Sequence, residues 1–370
     1  MADFYVKAIL PRSKRLREVP ETPKLPLSNG QIAELLSQES EAATGHLQRA
    51  LRKATQAAFL WPVEAGELLA KKESLQQLAG IGPHLERLIR RWFEAPPPLS
   101  ELSPLRQNFL TTAQAKRILA KRPQWADQYH GDLQMHSNWS DGSGKIKDMA
   151  DAARKRGYEY IAMTDHSQGL KIAGGMDEQE LAEQAEEIEA LNAKLKASQQ
   201  HFRVLKSIEM NLSPEGQGDM DPKALKKLDL VVGSFHSKLR VTGDQTERYL
   251  SALRNPSIQI LGHPRGRIYN RRLGLTADWP RVFAEVSRLN KAIEVDSYPD
   301  RQDLDVELLL VAKKEGCRIA IDTDAHAPDQ LAWVELGLAA TLLAGIPAER
   351  VINFLSATEL LKWAKSVKSQ

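Results

Sequence analysis

His, Asp and Glu residues in this chain fall where short apolar runs stop. The densest stretch is Gly131-Asp132-Leu133-Gln134-Met135-His136-Ser137-Asn138-Trp139-Ser140-Asp141-Gly142. Four later segments repeat the pattern: Thr164-Asp165-His166, Ser234-Phe235-His236, Gly262-His263-Pro264 and Asp322-Thr323-Asp324-Ala325-His326. Glu209 closes a further apolar run. Imidazole and carboxylate together suit zinc, manganese or iron, and a carboxylate shared between two ions holds them close. Closely spaced ions can bind a phosphate, generate hydroxide near neutral pH and stabilise a leaving oxygen. One His at a strand end is commonly structural, but this many on one face of a fold predict a metal centre.

For these residues to meet, the strands that carry them must run the same way. From 130 onward strand-like runs end at His136, Met163-Thr164, Ile208-Glu209, Val232-Gly233, Ile260-Leu261, Val295-Asp296 and Ile321-Asp322. Helical runs lie between them, over 144–156, 177–197, 244–254, 279–290, 303–316 and 329–344. Strands alternating with helices over 129–370 predict an α/β fold with a parallel (β/α) barrel. Chemistry in such barrels sits at the C-terminal strand ends, where these His and carboxylate residues fall.

The front of the chain differs. Residues 1–28 read as a basic extended arm, because Pro11, Pro20, Pro23 and Pro26 bar a continuous helix. Residues 29–95 read as helical, with Ile32, Leu35 and Leu36 on one face and Leu47, Leu51, Ala54 and Phe59 on the next. The run from Leu75 to Ile89 predicts helix, turn, helix around Gly80-Ile81-Gly82. Glycines there permit close backbone approach and leave amides open at a helix start, a phosphate site that Arg87, Arg90 and Arg91 would reinforce. Residues 96–128 read as a linker, opening on Pro96-Pro97-Pro98, followed by a connecting helix.

Composition bounds the rest. Apolar residues make up 42% and charged residues 27% of 370, as in a globular protein with a large core. Residues 1–125 carry 19 Lys and Arg against 12 Asp and Glu, while 126–370 carry 32 against 36. A basic front on a slightly acidic back fits a nucleic-acid module joined to a catalytic one. The single cysteine, Cys317, excludes an intramolecular disulfide and a Cys-rich zinc site, and its apolar context predicts burial. Basic residues follow the N-terminus at once, and the longest apolar run, Leu336–Pro347, is too short to span a bilayer. A cytoplasmic protein with no membrane partner is expected. No oligomeric state is fixed by the sequence.

These motifs, in order, resemble the polymerase and histidinol phosphatase (PHP) family over residues 131–326. The likeness extends to the domain attached to bacterial family X DNA polymerases, through Ile172-Ala173-Gly174-Gly175 and Asp300-Arg301-Gln302-Asp303-Leu304. The 29–95 block resembles the small N-terminal helix-hairpin-helix domain of those polymerases, which grips DNA phosphates without reading sequence. No polymerase palm is expected, since 100–130 lacks paired aspartates. The resemblance implies a distorted (β/α)7 barrel preceded by a small all-α helix-hairpin-helix domain.

It also implies two or three divalent ions (Zn²⁺, Mn²⁺ or Fe²⁺). The first would see Gln134, His136, Glu209 and Asp324, the second Glu209, His236 and His263, and the third Asp141, His166 and His326. Gln134 departs from the family's pattern, because an amide oxygen is a poorer ligand than imidazole for such ions. Arg265 and Arg267 follow His263 and are expected to neutralise a phosphate, with Lys171 nearby. Tyr269 is expected to stack on a base or sugar. The implied activity is phosphoester hydrolysis at DNA ends (3′–5′ exonuclease, 3′-phosphatase or abasic-site processing) through attack of a metal-held hydroxide on phosphorus. A small-molecule phosphatase of the histidinol phosphate kind, or a non-catalytic DNA-binding protein with a decayed metal site, are the alternatives.

Overall fold

Strands arise where aliphatic residues run four or five long, and they pair only in parallel. The computed structural model describes residues 27–98 and 102–368. Its strands are β1 (Gly131–Asp132), β2 (Tyr160–Met163), β3 (Arg203–Lys206), β4 (Glu209–Leu212), β5 (Val232–Phe235), β6 (Ile260–Leu261), β7 (Ala292–Asp296) and β8 (Arg318–Asp322). They form two parallel sheets, β1-β2-β3 and β4-β5-β6-β7-β8. Isolated parallel bridges join the sheets at both seams, Met135 to Ala325 and His166 to Glu209. β3 and β4 lie end to end across Ser207-Ile208, so the closed structure has seven staves, the expected distorted barrel. Glu209 opens β4 rather than ending a strand, and β5 runs on to Phe235.

Period-two alternation sorts the staves into layers. Leu133, Tyr160, Ala162, Leu205, Val232, Ile260, Ala292 and Ala320 form the inner apolar core with Leu360, Trp363, Ala364 and Val367. The latter four lie on the C-terminal helix Ala357–Lys368, a plug the sequence reading did not anticipate. Two residues further along the staves stand buried polar groups, including Thr164, Ser207, Ser234, Glu294 and Asp322. Two further again come His166, Glu209, His236, Asp296 and Asp324. The outer core packs the crossover helices, and Cys317 is buried there, as expected.

The apolar run Leu336–Pro347 belongs mostly to helix Val334–Ala344, which is buried on nearly every side. It packs against β8 and against helix Thr112–Leu119 of the connecting stretch. A helix apolar all round is a buried one. Among the described residues no helix is long and apolar enough to cross a membrane.

The front module is helical as predicted: Asn29–Ala42, Gly45–Leu60, Ala65–Ala70 and Pro83–Glu94. Ser28 and Gln31 form a reciprocal capping box at its first helix. The first arm of the expected hairpin is only a 3₁₀ turn, Leu75–Gln77. The basic arm expected over 1–28 lies outside the described residues except for Leu27 and Ser28, as do linker residues 99–101.

The two modules share a core. Tyr269, from the barrel loop after His263, is 8% exposed and sits in the helical cluster. Its ring centroid lies 4.7 Å from that of Phe59 and 5.1 Å from that of Phe109, both edge-on. It is therefore not placed to stack on a base, contrary to expectation.

Candidate metal centre

The turn carrying His136 and Asp141 is held by side chains rather than by a ladder. A Cβ at Gly131 would lie 2.1 Å from the Tyr160 carbonyl oxygen, so only glycine lets β1 enter. Beyond it, Leu133 N donates to Asp322 Oδ1 (2.7 Å), Met135 N to Thr164 Oγ1 (2.7 Å) and His136 N to the Ala325 carbonyl (2.8 Å). Asp165 then gathers the loop. Its carboxylate accepts from Ser137 N (2.8 Å), Ser137 Oγ (2.7 Å), Ser140 Oγ (2.6 Å) and Gln184 Nε2 (2.7 Å). Gly142 is required as well, since a Cβ would come within 2.5 Å of the His136 carbonyl oxygen.

Two of the predicted ligands sit on left-handed backbone, His263 at φ 22° and Asp324 at φ 51°. Such conformations cost roughly 1–3 kcal/mol each and collect at functional sites. Just before His263, a Cβ at Gly262 would lie 2.3 Å from Ser234 Oγ, so only glycine fits there. His263 N donates to the buried Glu294 carboxylate at 2.5 Å.

The side chains converge on Glu209. His263 Nε2 lies 2.7 Å and His236 Nε2 3.2 Å from Glu209 Oε1, while His166 Nδ1 lies 2.9 Å and His136 Nε2 3.6 Å from Oε2. Asp324 Oδ1 is 2.8 Å from His136 Nε2, and Asp141 Oδ1 is 3.3 Å from His326 Nε2 and 3.5 Å from His166 Nε2. Asn211 Oδ1 stands 3.2 Å from His236 Nδ1, and the Asp324 carbonyl 2.8 Å from His326 Nδ1. These contacts leave the two Nε2 atoms facing the centre.

Donor atoms around one tetrahedral ion, with bonds of about 2.0 Å, stand about 3.3 Å apart. The separations above scatter around that edge length. His166 Nδ1 and Glu209 Oε2 face each other without the alignment of a hydrogen bond, as lone pairs aimed at a common third point would. Three groups have their donor atoms within 4.8 Å of one another: His136, Asp141, His166 and His326; His166, Glu209 and His236; His136, Glu209 and Asp324. The residues thus fit divalent ions. The grouping differs from the family-implied one, because His166 and His136 each reach two groups and His263 meets the set through Glu209.

Gln134 is fully buried, and neither its amide nitrogen nor its amide oxygen has a hydrogen-bond partner. Leaving such a group unpaired costs about 1–3 kcal/mol. Burial opposes ionisation of Glu209, but His166, His236 and His263 outweigh it and hold the carboxyl well below its usual range. Asp324 is held low against burial by Arg301 and His136. At neighbouring carboxylates burial wins: it pushes Asp296, in the ligands' own layer, up to about 8, and Asp132 up to about 7.

The expected phosphate-binding arginines have other partners. Arg267 is 5% exposed, donates to Asp305 (2.7 Å) and the Gln107 carbonyl (3.0 Å), and lies 3.8 Å over the Phe109 ring. Arg265 donates to Asp305 (3.1 Å) and the Leu273 carbonyl (2.8 Å). Arg267 is thus turned into the protein, while Arg265 is held by acceptors of its own loop and of Asp305. Lys171 is exposed on the loop after His166. Arg301, within the Asp300–Leu304 motif, brings its Nη1 against Asp324 inside the centre.

In the front module Gly80 takes φ 80°, Ile81 is buried in the helical core, and Gly82 caps the helix that begins at Pro83. Arg87 and Arg91 are exposed, while Arg90 pairs with Glu86 at 2.8 Å.

The family model of the PHP domain matches residues 132–316. Over 239 residues the chain is 38% identical to the DNA polymerase/3′-5′ exonuclease PolX of Bacillus subtilis, covering 64% of this chain and 41% of that one. The match therefore spans less than half of the polymerase's length. A probable phosphatase of Thermoanaerobacter is 30% identical over 219 residues, 56% of this chain and 83% of that protein. Among solved structures, a histidinol phosphate phosphatase of Lactococcus lactis, complexed with zinc, L-histidinol and phosphate, aligns at 17% identity with a TM-score of 0.42, covering 59% of this chain and 95% of that one. Asp324 and His326 lie beyond the span of the family model, and the structure brings both to the candidate ligands within it. With the family model matching half its length, this chain belongs to the PHP family.

Proposed function

We propose that this chain is a metal-dependent phosphoric ester hydrolase acting on DNA ends, as a 3′–5′ exonuclease, a 3′-phosphatase or an abasic-site processing enzyme. The clustering of five imidazoles with Glu209, Asp324 and Asp141, four of the imidazoles lying within 3.6 Å of Glu209, carries this reading. Bound divalent ions would supply Lewis acidity toward a phosphoryl group and lower the pKa of water. The chain's own contribution is a graded cage. Glu209 and His136 are fully buried at its floor, whereas the Asp141 and His326 side chains are 37% and 22% exposed at its mouth. A phosphate ester would enter on the Asp141 side.

DNA as substrate is supported by the likeness to the exonuclease-bearing polymerase and by exposed Arg87 and Arg91 beside the Gly80–Gly82 turn. A metabolite phosphatase is the second reading, favoured by the probable phosphatase that this chain matches over 83% of its length. The test uses a 3′-labelled oligonucleotide, a 3′-phosphorylated oligonucleotide and p-nitrophenyl phosphate, each with Zn²⁺, Mn²⁺ and Mg²⁺. Metal-dependent turnover of a DNA end, abolished in His236→Ala, is expected. If every substrate stays intact under all three metals, or His236→Ala matches the parent, the hydrolase reading fails. Preference for small phosphomonoesters over DNA would move the assignment to the second reading.

A further inference from the structure

Ile172 is 96% exposed, and among the described residues the next most exposed large apolar side chain, Leu273, reaches only 50%. A lone exposed aliphatic residue is ordinary, but this one is held out on a closely bonded turn. It is the middle residue of the 3₁₀ turn Lys171–Ala173 in the loop after β2, between exposed Lys171 and buried Ala173. Ala173 N donates to the Leu170 carbonyl (3.0 Å), Leu170 N to the Ser167 carbonyl (3.0 Å) and Met176 N back to the His166 carbonyl (2.8 Å). Asp219 ties the base of the loop down. Its carboxylate accepts from Ser167 Oγ (2.8 Å) and Gly169 N (2.6 Å), and its carbonyl from Gln168 Nε2 (2.9 Å). A Cβ at Gly175 would lie 1.9 Å from the Ser167 carbonyl oxygen, so the loop closes on itself only with glycine there.

The loop borders the mouth of the candidate metal centre. It starts at His166, and a Cβ at Gly174 would lie 3.7 Å from the carbonyl oxygen of Ser140, next to Asp141. Its Ser167 Oγ accepts from Asn211 N (2.8 Å), and the Asn211 side chain meets His236. The His236 ring centroid is 5.2 Å from that of His166, and the loop that follows His236 exposes Lys238, Arg240 and Val241. Neither 167–176 nor 237–243 contains Asp or Glu, although 126–370 as a whole carries more acids than bases. Two loops beside the same ligands therefore present cations and aliphatic side chains without a carboxylate. The complement of such a rim is an anion that also carries an apolar face. A nucleotide has both, whereas inorganic phosphate has only the charge.

We propose that Ile172 is a specificity-determining contact of this centre, its side chain packing on the face of the base next to the scissile phosphate of a DNA end. This inference rests on the DNA-end reading and names the side chain that meets the nucleotide within it. Every base has such a face, so Ile172 selects for the presence of a base and not for its identity. Ends that carry a base, those of a 3′–5′ exonuclease or a 3′-phosphatase, are thereby placed ahead of abasic ends.

The test uses the full chain and two 5′-fluorescein-labelled single-stranded oligonucleotides. One ends in a 3′-phosphorylated thymidine, the other in a 3′-phosphorylated tetrahydrofuran residue that has no base. Affinity is read by fluorescence anisotropy without added metal, phosphate release as kcat/KM with Mn²⁺, and ions per chain by elemental analysis. Removing the base should weaken binding to the parent by roughly tenfold. Ile172→Ser should weaken binding of the thymidine end by a similar factor and bind the tetrahydrofuran end within about twofold of the parent, so that the two losses do not add. kcat/KM on the thymidine end should fall with affinity, and Ile172→Leu should restore most of both. Because the side chain is almost wholly exposed, melting temperature and ions per chain should match the parent in both variants. Equal affinity of parent and Ile172→Ser for the thymidine end overturns the inference. So does an equal loss on both ends, which would set Ile172 against the backbone and not the base. A parent dimer that Ile172→Ser disperses overturns it as well, since a second copy would then cover the side chain. If the parent binds and turns over neither oligonucleotide, the DNA-end reading fails and takes this inference with it, whatever Ile172→Ser does.

Discussion

Gln134 is where chemistry and packing disagree most plainly. A buried, unpartnered amide is costly, and both of its polar atoms lack a partner. His at this position would add an imidazole to a set that already holds His136, Glu209 and Asp324. Gln134→His is expected to tighten metal binding by about tenfold or more, read as ions retained per chain against a graded chelator. Equal retention in parent and variant would mean that Gln134 does not limit the site. The candidate ligands were legible because each falls in a short local motif, and on the staves His166, Glu209, His236 and Asp324 stand two residues beyond a buried polar group. Gln302 and Tyr269 were not, because their roles depend on partners far along the chain. Gln302 meets Leu110 across 192 residues, and Asn270 meets Arg106 across 164. No local pattern encodes such a pairing. Glu294 left a fainter signal: in Ile293-Glu294-Val295-Asp296 carboxylates alternate with aliphatics on a buried strand, which puts them on the barrel interior.

Among elements, helix Pro83–Glu94 shows how one carboxylate can anchor a turn. The Glu86 carboxylate accepts from Gln76 Nε2 (2.7 Å), Arg90 Nη2 (2.8 Å), Leu75 N (3.0 Å) and Ser74 Oγ (3.1 Å). Gln76, Arg90 and the Leu75 amide together pull its pKa down to about 2, against the opposing effect of burial. A depressed carboxyl stabilises the fold above its ordinary value of 4.5 and loses that contribution as pH falls through about 2. The helical module should therefore lose stability in acid between those limits. Glu86→Gln should be less stable at neutral pH and flatter across that window. Urea midpoints followed by tryptophan fluorescence from neutral pH down to about 2 check this, and a parent-like slope in the variant would remove Glu86 as the cause. Element types were largely readable from periodicity. What periodicity missed were the 3₁₀ turn Leu75–Gln77, too short to show a period, and the C-terminal helix Ala357–Lys368.

For the whole molecule, the question is whether a helical module and a barrel joined by a Pro-rich linker behave as two bodies or one. Their contacts argue for one. Arg106, in the joining segment, donates to Glu34 (2.7 Å) and Glu41 (3.1 Å) on the first helix and to Asn270 of the barrel loop (2.8 Å). Arg117 pairs with the buried Glu64 at 2.5 Å. Tyr269 adds an aromatic anchor, and the connecting stretch gives Ala115, Leu119, Trp125 and Tyr129 to the barrel's own core. Fully burying one aromatic ring is worth about 1.5–3 kcal/mol. Removing one partner of a buried ion pair costs about 3–5 kcal/mol, because the other charge stays behind. Either loss is a sizeable fraction of the roughly 5–15 kcal/mol net stability of a domain. The parent should therefore melt in a single calorimetric transition. Tyr269→Ala should lose about 3 kcal/mol, and Arg106→Met, which strands the 1%-exposed Glu34, a similar amount. In the double variant the helical module should melt separately and first. If Arg106→Met and Tyr269→Ala each leave one transition at the parent's temperature, the interface does not couple the modules. The loop after His263 would then owe its position to the barrel alone.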